Sequence, residues 1–103
     1  MAIQLRSNTM PHSLKNPETD KLFQALLRCQ SIEDLYAFFE DIATIQEMRD
    51  FTQRFHVARL LKSGSTYTEI EKRTKASATT ISRVSKALQY GAGGYQKVID
   101  DNE

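Results

Sequence analysis

Thr79, Arg83 and Lys86 recur at i, i+4 and i+7, a spacing that lines them along one face of an α-helix. Ser77, Thr80 and Ser82 stand among them, and Lys72 and Lys75 lie just upstream. An arginine can bond O6 and N7 of a guanine together, a threonine methyl can rest on a thymine methyl, and hydroxyls reach bases or phosphates. That chemistry suits the major groove of double-stranded DNA. The candidate DNA-binding set is therefore Lys72, Lys75, Ser77, Thr79, Thr80, Ser82, Arg83 and Lys86. The same text also fits an ordinary solvated helix, so the elements that carry the stripe must decide.

Thr66-Tyr67-Thr68-Glu69 is a capping box that opens a short helix ending near Thr74. After Lys75-Ala76, Ser77 caps a second helix, which runs to about Tyr90 and stops at Gly91-Ala92-Gly93-Gly94. A short helix, a three-residue turn and a second helix make a helix-turn-helix over about residues 66–90. Ile70 on the first helix must meet Ile81 and Val84 on the second, with the small Ala76 at the crossing. Helical geometry then turns Thr79, Thr80, Arg83 and Lys86 outward. Two residues depart from the usual pattern. Glu71 stands where a small residue is common, and Lys75 where the turn usually begins with glycine. Lys75 must take a positive φ, at a cost of about 1 kcal/mol, or the turn must differ.

Upstream, Asn16-Pro17-Glu18 reads as a helix start, and Leu22, Phe23, Leu26 and Leu27 form the stripe behind it. Ser31 with Asp34 opens a second helix bearing Leu35, Phe38, Phe39 and Ile42. Thr44-Ile45-Gln46-Glu47 is a full capping box for the longest helix, expected to reach about Lys62. Its stripe reads Ile45, Met48, Phe51 (or Thr52), Phe55, Ala58 and Leu61. Gly64 is available for a left-handed cap. A last turn or two, Tyr95 to Asp100, is expected to pack Tyr95, Val98 and Ile99. No stretch alternates with period two. The expected fold class is all-α, with residues 1–15 a loose arm and 16–103 one helical domain.

The 103 residues are 40% hydrophobic and 26% charged, ordinary for a folded soluble chain. The net charge of +1 hides an asymmetry. Residues 1–51 carry five Lys/Arg against eight Asp/Glu, whereas residues 52–97 carry nine against two. A basic half beside an acidic half points to a partner with phosphates on one side. The single Cys29 excludes an internal disulfide and fits a reducing cytosol. The opening MAIQLRSNTMPHS has no apolar core of a secretory signal, and no run approaches a membrane span. The expected localisation is cytoplasmic, nucleoid-associated when bound to DNA.

The segments LFQALL, FFEDIATIQEM, QRFHVARLLKSG, YTEI, ATTISRVSKAL and QYGAGGYQKVID resemble the Trp repressor superfamily, and within it the small YerC/YecD-type proteins. The resemblance covers about residues 17–100. It implies an intertwined helical homodimer whose N-terminal helices interlock, with two helix-turn-helix heads meeting successive major grooves about 34 Å apart. It also implies an effector pocket. Thr44, Arg54 and Arg83 match positions that line the tryptophan site of the family. Val84 replaces a glycine beside the indole, and Ala87 replaces a serine that meets the amino group. Both replacements count against tryptophan, because a lost partner for a buried ligand charge costs on the order of 1.5–3 kcal/mol.

His12 and His56 have no ligands at metal spacing, the paired acids Glu33-Asp34 and Glu40-Asp41 read as solvated faces, and the glycine run follows no strand. No enzyme, metal or cofactor is expected. The expected function is a DNA-binding transcriptional regulator, a repressor acting as a homodimer. The alternative is a helical adaptor that keeps the fold and binds protein instead. The operator, the target genes and any effector are not written in the chain.

Overall fold

The computed structural model describes residues 14–102, so most of the expected arm, and His12 with it, lies outside the described residues. The described residues form helices joined by short turns, with no strand among them. They fall into two compact units that divide between Ala43 and Thr44.

The first unit holds α1 (Pro17–Arg28) and α2 (Ile32–Ile42). Each begins where side-chain chemistry caps the free amides of a first turn. Asn16 Oδ1 accepts from the Thr19 amide at 2.8 Å, and Pro17 occupies the first turn. Ser31 Oγ accepts from the Asp34 amide at 3.0 Å. The Asp34 carboxylate reaches back to the Gln30 amide at 2.9 Å, one residue before the cap. Neither helix has a buried residue. Phe38 and Phe39 meet edge to face at 5.7 Å, yet Phe23 is 48% exposed and Leu27 85%.

The second unit holds α3 (Ile45–Lys62), α4 (Tyr67–Thr74), α5 (Ala78–Tyr90) and the single turn α6 (Gly94–Val98). Its core is Val57, Ala58 and Leu60 of α3, Ile70 of α4, Ala76 of the turn after it, Ile81 and Val84 of α5, and Ile99. Phe55, Leu61, Leu88 and Tyr95 pack against it, and the Phe55 and Tyr95 rings stack at 6.5 Å. Gly64 takes φ 92, as a left-handed cap requires. Gly91 must be glycine for another reason: a Cβ there would run into the Ala87 carbonyl oxygen. Lys62 pairs with Asp101 at 3.1 Å and ties the chain after Ile99 back to α3.

The packing of α3 differs from the expected stripe. Ala58 is buried and Phe55 and Leu61 pack on the core as expected, but Val57 and Leu60 join them, while Ile45 and Phe51 are 73% and 51% exposed. Apolar residues stand on two sides of this helix, and the three-to-four spacing of one stripe hides the other. Val98, expected to pack, is 65% exposed, because Ile99 takes the inward position after α6 ends.

The capping boxes of α3 and α4 are both complete. In α4 the Glu69 carboxyl accepts from the Thr66 amide at 2.9 Å and from the Thr66 hydroxyl at 3.1 Å. The amide bond first, then the hydroxyl and the Arg73 charge, hold the Glu69 carboxyl below its ordinary value. A depressed carboxylate stabilises the fold above its ordinary range, and the contribution is lost as the pH falls through the folded-state value. Chemical denaturation between about pH 5 and pH 3 should therefore show a shallower loss of stability for Glu69→Gln than for the wild type.

Candidate nucleic-acid interface

The turn between α4 and α5 is closed group by group. The Lys75 amide donates to the Glu71 carbonyl at 2.9 Å. The Thr74 hydroxyl donates to the Ile70 carbonyl at 2.7 Å and accepts from the Ala76 amide at 3.1 Å. Ser77 Oγ accepts from the Thr80 amide at 3.1 Å and caps α5. From α3, the Gln53 amide donates to the Thr74 carbonyl at 3.0 Å. Lys75 takes φ 62, the left-handed conformation that this turn requires and that a residue other than glycine adopts at a cost. Glu71 is accommodated because its side chain is exposed and only its carbonyl enters the turn.

Packing inside the unit sets the outward face. Ile70 and Ile81 are fully buried and Val84 is 2% exposed, all in the same cluster. With these inward, Thr79, Ser82, Arg83 and Lys86 of α5 are exposed, as are Lys72 and Lys75. Thr79 to Lys86 spans about 10 Å along the axis at 1.5 Å per residue, roughly three base-pair steps. Thr80 is half-buried, and its hydroxyl accepts from Ser77 Oγ at 3.1 Å. Thr80 and Ser77 thus spend their oxygens on the helix start, and the open polar surface is Thr79, Ser82, Arg83 and the three lysines.

The electrostatics of this surface are one-sided. Helix α5 contains no acidic residue. Among the described residues, no carboxylate lies within ion-pair distance of Lys72, Lys75, Arg83 or Lys86. The nearby Glu69 is occupied at the α4 start. Unpaired cations on a rigid face raise the local concentration of phosphate and release counterions on binding.

The candidate effector positions are spread over separate tasks. The Thr44 hydroxyl accepts from the Glu47 amide at 3.0 Å as the α3 cap. The Arg54 guanidinium lies 5.1 Å over the Phe51 ring. Arg83 and Ala87 are exposed on α5, whereas the branched side chain of Val84 belongs to the core of the reading head. No hydrogen bond joins any two of the five among the described residues. Surface clefts of the second unit are lined by other residues. One of about 370 Å³ runs between Arg59, Lys62 and the Ile99–Asp101 segment, and one of about 480 Å³ lies among Leu61, Ser85, Leu88 and Gln96. No group of three or more His, Cys, Asp or Glu gathers among the described residues, and no helix is long and apolar enough to cross a membrane.

Nothing in the sequence around Gln53 marks its role. It is a polar residue in mid-helix, and its partner lies 21 positions away. No local pattern encodes that contact.

A family model described as Trp repressor protein matches residues 17–103. YerC of Bacillus subtilis (strain 168) is 44% identical over 87 residues, which are 84% of each chain. The crystal structure of a TrpR like protein from Eubacterium eligens ATCC 27750 superposes with a TM-score of 0.80 at 45% identity, covering 82% of this chain and 88% of that one. A structure from Staphylococcus aureus does so with a TM-score of 0.79 at 40% identity, covering 82% and 85%.

The left-handed Lys75 carries a prediction about stability. Lys75→Gly removes the Cβ conflict, against a partly offsetting gain of freedom in the unfolded chain, and should stabilise by roughly 0.5–1 kcal/mol. Denaturant unfolding with an unchanged slope is the measurement, and a destabilised variant would contradict the turn geometry.

Proposed function

The chain belongs to the Trp repressor family, and from that premise we propose that it is a sequence-specific transcriptional regulator, a repressor, that binds double-stranded DNA as a homodimer through α4 and α5. The family is one of regulatory DNA-binding proteins rather than enzymes. The observation that carries the reading is the acid-free face of α5, with Thr79, Arg83 and Lys86 exposed and the two cations unpaired among the described residues. In this reading Arg83 reads a base edge, Thr79 and Ser82 line the groove, and Lys72, Lys75 and Lys86 hold phosphates. Thr80 and Ser77 contribute by fixing the start of α5.

The homodimer is supported by the first unit, where α1 and α2 bury no residue and leave Phe23, Leu27, Tyr36 and Ile42 open. The open Ile45 and Phe51 of α3 extend the same argument to the second unit. Apolar surface of this extent on a small chain marks an association site. A protein adaptor would need the same dimer surface, but it would have no use for four unpaired cations around a groove-sized stripe. DNA is the better fit.

Mobility-shift titration over a salt series tests the function, with the operator first located by genome-wide mapping of bound DNA. Arg83→Ala should weaken the cognate site by about 1–3 kcal/mol with helicity intact. Lys72→Ala should weaken all sequences alike and lower the salt slope by about 1. Sedimentation should find a dimer at micromolar concentration, with a melting temperature that rises with protein concentration. A stably folded monomer would refute the dimer. Calorimetric titration with L-tryptophan should give no saturable micromolar binding. Val84 is committed to the core and Ala87 offers no hydroxyl, so two of the family's contacts are missing.

A further inference from the structure

The turn that aims α5 contains the one residue other than glycine with positive φ among the described residues, Lys75 at φ 62. A lysine has no intrinsic preference for that conformation, so the surrounding structure must impose it. The C-terminal side is held by Ala76, which is 4% exposed and sits in the core cluster. The N-terminal side is held at Thr74. Its hydroxyl donates to Ile70 and accepts from Ala76, and its carbonyl accepts from Gln53 Nε2 at 3.0 Å. The Thr74–Lys75 peptide is the one whose rotation would let Lys75 leave the left-handed region. Its carbonyl oxygen points at a donor anchored in the middle of α3, outside the helix-turn-helix. Gln53 is half-buried, so water competes weakly for that bond.

We propose that Gln53 is a positioning residue for DNA reading: its side-chain amide clamps the peptide before Lys75 and so holds α5, with Thr79, Arg83 and Lys86, in the reading orientation. The proposal rests on the DNA-binding function proposed above. The amide touches no DNA and acts through the turn. A carbonyl can only accept, so the clamp needs a donor at this length of side chain. Methionine matches the length without a donor, and glutamate sets an acceptor against the Thr74 carbonyl.

The test uses the full chain in two arms. Hydrogen exchange of the Lys75 and Ala76 amides, in the absence of DNA, reads the clamp directly. Mobility shifts on the mapped operator, made well below the melting temperature, read its consequence. Gln53→Met should speed exchange at those two amides about fivefold and weaken operator binding by a similar factor, the size of one neutral hydrogen bond. Gln53→Glu should do more in both arms. Lys75→Gly relieves the turn of the strain that the clamp opposes. Gln53→Met made on top of Lys75→Gly should therefore have a smaller effect on exchange and on binding than it has alone. A contribution to global stability alone would leave operator binding unchanged below the melting temperature and would not depend on the residue at position 75.

Unchanged exchange at Lys75 and Ala76 in Gln53→Met would overturn the proposal. So would an effect on binding that persists in full on top of Lys75→Gly. A wild-type chain that shifts no DNA at any salt concentration refutes the DNA-binding function itself, and the exchange arm then still decides whether Gln53 holds the turn.

Discussion

Three branched side chains, Ile70, Ile81 and Val84, meet without exposure at the crossing of α4 and α5, and the rest of the reading head follows from that contact. Removing one such side chain from a packed site costs about 2–5 kcal/mol, a large part of the stability of a small unit. The contact therefore fixes the rotation of α5 about its own axis. Once Ile81 and Val84 face inward, Arg83 has no choice but to face outward, and Thr79 and Lys86 lie on its stripe. The chemistry of the outward face is a by-product of burial on the opposite face. The left-handed Lys75 is the backbone cost of bringing the two helices close enough for the contact to form.

Charge is arranged with the same economy. Two acids of the second unit serve helix starts: Glu47 and Glu69 each accept from the cap residue of their own helix. Lys62 is matched by Asp101 at the far end of α3. What is left without a carboxylate among the described residues is the set around the outward face of α5, Lys72, Lys75, Arg83 and Lys86. A like-charged, unpaired cluster on a folded surface costs some self-repulsion, which a polyanion removes. The hydroxyls divide in the same way. Ser77 and Thr80 are consumed in starting α5, and Thr79 and Ser82 remain open.

The two units differ in how they satisfy their apolar residues. The second encloses a core of its own, with Phe55 and Tyr95 stacked at its border. The first encloses none, and its two helices expose large side chains along most of their length. Helix α3 carries both characters, buried at Val57 to Leu60 and open at Ile45 and Phe51. A helix serving two surfaces loses the clean amphipathic pattern, so spacing alone points to Phe55, Ala58 and Leu61 on the core side but does not separate them from the open Ile45 and Phe51.

The chain by itself determined what local chemistry decides. Caps are written in adjacent residues, so Asn16, Ser31, Thr44, Thr66 and Ser77 were legible as helix starts. The helix-turn-helix and the inward Ile70, Ile81 and Val84 followed from spacing, whereas at Lys75 the chain left a positive φ and a different turn both open, and the folded turn takes the positive φ. Tertiary structure decided what depends on residues far apart in sequence. It chose Val57 and Leu60 over Ile45 and Phe51 on α3, and it exposed Val98 because α6 ends before Ile99. It also placed the Gln53 amide on the Thr74 carbonyl 21 residues away. Periodicity tells how many faces a helix has to bury, but which face meets which neighbour is settled only when the helices pack, because a contact between distant residues leaves no spacing to read.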